Sequence, residues 1–225
     1  MALILHLESA TKICSVCVAE KGNVLSLRET NDEQYSHSEK IFPFIREVLA
    51  EARVKPSDLN ALAVSSGPGS YTGLRIGAST AKGLCYGSGI PLIAINSLNA
   101  LAVLASAKGG LICPMFDARR NEVYAGLYDI AGNEVLAPRP VVLDEYAFED
   151  YLEKGPVLFC GAGAIKMKAI ARSENAQFDL DVKVSSQGMV ALAWTKFQNK
   201  SFADLVLFEP DYLKDFVPGG VVRGV

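Results

Sequence analysis

The chain has 225 residues, half of them apolar, a net charge of −3 and a pI near 5.5. That length can bury one large core or two small ones, and the acidic balance excludes a general field for attracting nucleic acid, so any RNA contact has to be local or supplied by a partner. No apolar stretch approaches the roughly 20 residues that span a bilayer, and the strand-like opening at residues 2–7 lacks the charged lead and small-residue cleavage site of a secretory signal; a cytoplasmic protein without a membrane partner is expected.

Taken in order, residues 2–7, 13–19 and 23–28 read as three strands, the last two joined by the short connection Glu20-Lys21-Gly22, and so predict an antiparallel meander. Cys14 and Cys17 have a redox or zinc spacing, but no second pair exists and strand alternation sends the two thiols to opposite faces. With Cys85, Cys113 and Cys160 they read as buried free thiols. Ser36 and Glu39 fit a capping box before a helix over 39–53, with Ile41, Ile45, Val48, Leu49 and Ala52 at helical spacing and Pro43 early in it.

The most informative stretch follows. An apolar strand over 62–66 breaks into Gly67-Pro68-Gly69-Ser70-Tyr71-Thr72-Gly73, then into a helix capped by Ser70 or Thr72 and ending at Gly87 or Gly89, before a buried strand over 91–95. Strand, helix, strand is a parallel crossover. The helix carries Gly73, Gly77, Ala78, Ala81 and Gly83. Each interior glycine costs about 0.5–1 kcal/mol against alanine, so close approach of another backbone is expected to compensate, Gly73 and Gly77 lying one turn apart.

Ser97 is expected to cap a third helix to about residue 107, and Lys108-Gly109-Gly110 marks a boundary. The pattern then repeats: strands over 111–116, 122–128 and 133–143, a helix over 144–152, a strand over 157–160, a helix over 162–172, a short strand over 181–184 and a helix over 188–197. The fold class is therefore α/β, with a duplicated three-strand, helix, strand, helix topology divided into residues 1–108 and 109–225. Residues 209–215 are expected to be ordered and extended, residues 217–225 mobile.

Two such units resemble the actin-like fold of sugar kinases, acetate kinases and heat-shock ATPases, whose lobes are ribonuclease H-like and hold a nucleotide between them. Five motifs are similar to the TsaB family, formerly YeaZ: His37-Ser38-Glu39, the run Ser66 to Gly77, Pro91-Leu92, Ala118-Arg119-Arg120-Asn121-Glu122-Val123-Tyr124, and Pro210-Asp211-Tyr212-Leu213. The resemblance implies a non-catalytic subunit of the machinery that places threonylcarbamoyl on the adenosine beside the anticodon of ANN-decoding tRNAs. Its implied partners are the catalytic paralogue TsaD and the ATPase TsaE, with tRNA reached indirectly and a homodimer formed when the chain is alone. Pairing through first-lobe helices would use Ile41, Ile45, Tyr71, Gly73, Leu74, Gly77, Ala78 and Ala81. One departure is Glu8-Ser9-Ala10-Thr11, where the family often has Asp-Thr-Ser-Thr; the longer acid and the lost hydroxyl weaken this turn as a phosphate loop.

The residues themselves supply little chemistry, and no catalytic, cofactor or metal residue is assigned. His6 and His37 are the only histidines and lie in different elements, His6 reading as a core or edge residue of its strand. The glycine turn matches neither the Walker pattern nor the dinucleotide spacing, and reads as a structural turn with partner contact rather than a phosphate cradle. Arg75 opposes the helix dipole, so it either seeks a specific partner or is simply solvated. Asp117 is the best catalytic carboxylate on offer, and reads as a turn residue or half of an ion pair with Arg119. No nucleophile motif with histidine supports a protease. The rival reading is an active ATP-dependent small-molecule kinase or hydrolase of the same fold.

Overall fold

The structure, a computed structural model, describes residues 2–30 and 37–214. Strands β1 (Leu3–Glu8), β2 (Ser15–Glu20) and β3 (Asn23–Glu29) form the expected meander. Strands β4 (Ala61–Gly67) and β5 (Leu92–Asn96) add to it in parallel, giving the order β3-β2-β1-β4-β5. Strands β6 (Leu111–Asp117), β7 (Glu122–Asp129), β8 (Glu134–Val142), β9 (Val157–Cys160) and β10 (Ala176–Asp179) repeat that order as β8-β7-β6-β9-β10. The duplication is thus one of topology.

On the first sheet, α1 (His37–Glu51) and α2 (Tyr71–Ser88) cover one face, where Ile41, Ile45 and Val48 meet Leu5, Leu7 and Val16. Ser70 caps α2, its Oγ accepting from the Gly73 N–H at 3.3 Å, and Gly89 ends it in the left-handed region at φ 65°. The shorter helices α4 (Glu149–Leu152) and α5 (Ala164–Ile170) cover the second sheet around Phe159 and Met167. All five cysteines are buried and free, and Cys14 and Cys17 do join different core clusters.

Several expectations are corrected. Helix α1 runs over 37–51 rather than 39–53, and the Ser36 half of the capping box lies outside the described residues. Asn96, not Ser97, caps α3 (Ser97–Leu104): its Oδ1 accepts from the N–H groups of Leu98 and Asn99, because the extended conformation ends one residue earlier. The stretch 144–152 is mostly turn, with the Asp144 carboxylate accepting from the Tyr146 N–H and leaving only α4 helical. The strand expected at 181–184 lies at 176–179, where parallel register with β9 sets it, Ala176 opposite Val157.

The largest departure concerns the last helix. It starts as a 3-10 turn, Ser186–Met189, and continues as α6 (Val190–Gln198). Although it follows the second sheet in the chain, it packs on the other face of the first sheet: Met189 and Ala193 join Ile4, Ala61, Ala63, Ile93 and Ile95 in one cluster. The expected division at 108/109 therefore separates the sheets but not their cores. A further cluster joins the two halves, with Ala10, Leu74 and Leu101 from the first and Ile112, Phe116 and Tyr128 from the second.

After α6 the chain straps the molecule. The Ala203 N–H donates to Leu92 O, Lys82 Nζ holds the carbonyls of Val206 and Phe208 at 2.9 and 3.0 Å, and the Asp211 N–H donates to Ser66 O at 2.6 Å. Gly67 makes the last contact possible: it sits at φ 110°, and a Cβ there would lie 2.4 Å from Asp211 O. Tyr212 then reaches the cluster between the halves, and Lys214 pairs with Glu122 of β7. The described part of the strap is extended, as expected; residues 215–225, including the stretch expected to be mobile, lie outside the described residues.

Candidate functional site

The small residues of α2 face inward. A Cβ on Gly73 would lie 2.1 Å from Ser9 O, one on Gly77 2.2 Å from Ser9 Oγ, and one on Gly69 2.3 Å from Ala10 O. Close approach does compensate for the glycines, but the approaching backbone is the turn after β1, which also accepts the Ser70 N–H at Ala10 O. Of the residues expected to meet a partner, Ile41, Ile45, Gly73, Leu74, Gly77, Ala78 and Ala81 are buried in the chain's own core, and Tyr71 alone is half-exposed. Helical spacing marks the face turned to the sheet; the face turned outward follows from different residues on the same helices.

Those residues line a groove of about 490 Å³ between α1 and α2, floored by Ile41 and walled by Phe42, Tyr71, Thr72, Arg75 and Ile76. A second depression of about 610 Å³ lies on the other flank of α1, with Pro43, Ile45, Leu49 and Val54. Phe42 stands between the two and is 57% exposed, an unusual position for a large aromatic in an otherwise well-filled fold.

Arg75 is held at the wall of the groove. Its Nη1 donates to Tyr71 Oη at 2.8 Å and its guanidinium centre lies 5.0 Å from the Tyr71 ring. The Tyr71 ring in turn packs against Tyr212 of the strap, the centroids 4.8 Å apart. The sequence singled out Tyr71 and Arg75 but not Phe42, whose signal was its place among the apolar positions of α1 off the buried stripe.

The region between the lobes is built differently. Burial pushes Glu8 up to about 7, against the N–H of Ala10 that donates to its Oε1 at 2.7 Å. His37 Nε2 lies 2.7 Å from Thr11 O, tying the start of α1 to the same turn, and burial lowers its pKa. Ala10, Leu74, Tyr124 and Tyr212 pack together there. Asp117 forms its ion pair with Lys166, at 2.7 Å, rather than with the Arg119 side chain; Arg119 contributes its backbone N–H at 2.6 Å. Burial opposes the ionised form, yet Lys166 and that N–H hold the carboxyl below its ordinary range. His6 is a core residue, fully buried.

Residues 28–224 match the protein family described as TsaD, tRNA N6-adenosine threonylcarbamoyltransferase. The tRNA threonylcarbamoyladenosine biosynthesis protein TsaB of Bacillus subtilis is 41% identical over 130 residues, which are 56% of this chain and 56% of that protein. TsaB of Escherichia coli is 36% identical over 127 residues, 56% of this chain and 54% of that one. The chain thus spans about half the length of the curated relatives it matches. The solved structure of YeaZ from Pseudomonas aeruginosa superposes with a TM-score of 0.82 at 25% identity, covering 95% of this chain and all of the other. Two lobes of equal topology, the glycine turn at the head of α2 and these matches together identify the chain as a member of the TsaB/YeaZ family, of the actin-like fold.

Proposed function

We propose that the chain takes part in threonylcarbamoyladenosine formation on tRNA as a non-catalytic subunit, docking a TsaD-like catalytic paralogue on the outer face of α1 and α2. A TsaE-like ATPase joins the pair, and tRNA is reached through the complex. The observation that carries this reading is Phe42, exposed between two apolar depressions on the two helices. An aromatic anchor flanked by pockets is what a specific interface of about 800 Å² per partner is built around. In the absence of the paralogue the same face closes on a second copy with two-fold symmetry.

The non-catalytic part is supported by the turn after β1. In nucleotide-using members of the fold it faces phosphates; here it carries Ala10 in an apolar cluster, a largely protonated Glu8 and the seat of α2.

Phe42→Asp tests the docking reading. The variant should fold, since the side chain is more than half exposed, yet fail to co-purify with the TsaD-like protein and fail to support modification in a reconstituted reaction. Unchanged pairing would move the interface elsewhere. Calorimetry of the isolated chain with ATP and magnesium tests the non-catalytic part, because tight binding with turnover would favour the kinase or hydrolase reading.

A further inference from the structure

We infer that the groove between α1 and α2 receives a carboxylate-bearing helix of the catalytic paralogue, with Arg75 as the counter-ion; the inference rests on the docking face proposed above. Arg75 lies in the second turn of α2, where the positive end of the helix disfavours a cation. Among the described residues it makes no ion pair. Glu209 of the strap acts on Tyr212 but does not pair with Arg75.

The guanidinium is nonetheless oriented. Tyr71 receives its hydrogen bond and offers its ring, and Tyr212 braces that ring from the strap. A planar fork fixed in advance loses little freedom on gripping a carboxylate. The groove also offers hydroxyls from Ser38, Thr72 and Ser79 and an apolar floor at Ile41, but no carboxylate. Its open, two-helix form suits an amphipathic helix that lays apolar anchors beside one acidic residue.

The same charge inventory argues against a second copy as the preferred occupant. Two such grooves facing each other across a two-fold axis bring cation toward cation with no acid from either lining, and like charges brought together on desolvation oppose pairing. The acid therefore comes from a different chain.

The test measures affinity for the purified TsaD-like protein. Arg75→Glu should weaken pairing roughly 100-fold and Arg75→Lys, which keeps the charge but loses the fork, about tenfold. Raising salt from about 50 to 500 mM should weaken the wild type several-fold and leave Arg75→Ala nearly unchanged. Reversing an acidic residue on the paralogue's docking helix to arginine should restore pairing to Arg75→Glu. Arg75→Ala should self-associate at least as well as the wild type.

Should Arg75→Glu pair as tightly as the wild type while Phe42→Asp abolishes pairing, this inference falls and the docking face stands. If neither variant weakens pairing, both fall. Loss of self-association by Arg75→Ala equal to its loss of hetero-pairing would assign the acid to a second copy and overturn the choice of partner. Circular dichroism and thermal melting of each variant separate these outcomes from misfolding.

Discussion

Glu8 ends β1 with its carboxyl buried, and its pKa rises from 4.5 to about 7 through that burial. An acid whose folded pKa exceeds its unfolded value costs stability as pH climbs from 4.5 to 7, by about 3 kcal/mol once both steps are passed. Two residues earlier, His6 is pushed down by burial from 6.5 to about 4. A base of this kind costs stability as pH falls from 6.5 to 4. The two slopes oppose each other between pH 4.5 and 6.5, so the wild type should show a shallow profile there and lose stability only toward pH 7. Glu8→Gln should leave the His6 slope alone, giving stability that rises from pH 4 to 6.5 and then stays level. Chemical denaturation across that range checks it, and a profile identical to the wild type would show that Glu8 ionises freely.

At the scale of elements, α2 contains two kinds of glycine that the sequence does not distinguish. Gly77 is packed against Ser9, whereas a Cβ on Gly83 or Gly87 would meet nothing within 4 Å. Gly77→Ala should therefore destabilise by about 1–3 kcal/mol through overpacking, and Gly83→Ala should stabilise by about 0.5–1 kcal/mol through helix propensity. Thermal melts of the two single variants decide the matter, and equal effects would refute the assignment of faces. The meander, the crossover around Gly67-Pro68-Gly69-Ser70 and the repeated strand order were legible because hydrophobic period, glycine and capping hydroxyls act locally. The destination of the buried stripe was not. Ile41, Ile45 and Leu74 mark an apolar face equally well whether it meets the chain's own sheet or another protein, and only tertiary packing decides. The cap of α3 escaped for a smaller reason, since Asn96 and Ser97 are both competent and adjacent.

For the whole molecule, the strap is the element that binds both lobes at once, through Ser66, Tyr71 and Glu122. Tyr212→Ala should cost about 1–3 kcal/mol and also reduce affinity for the docking partner, because Tyr71 and Arg75 lose their brace. Unfolding followed by fluorescence of Trp194, on α6, and by far-ultraviolet dichroism should coincide in the wild type and separate in the variant. Full affinity in Tyr212→Ala would show that the groove keeps its geometry without the strap. Sequence reading expected an ordered extended piece over 209–215, but its route over Gly67 depends on contacts more than 100 residues apart.

The return of α6 to the first sheet has a consequence for synthesis and dissection. Until about residue 198 has left the ribosome, the face of Ile4, Ala61, Ala63, Ile93 and Ile95 has no cover. The amino-terminal half cannot mature ahead of the rest, and a fragment cut near residue 108 would expose a greasy sheet and precipitate rather than survive as an autonomous module. Co-expressing residues 109–214 as a separate polypeptide should rescue its solubility, since they bring the missing cover in trans.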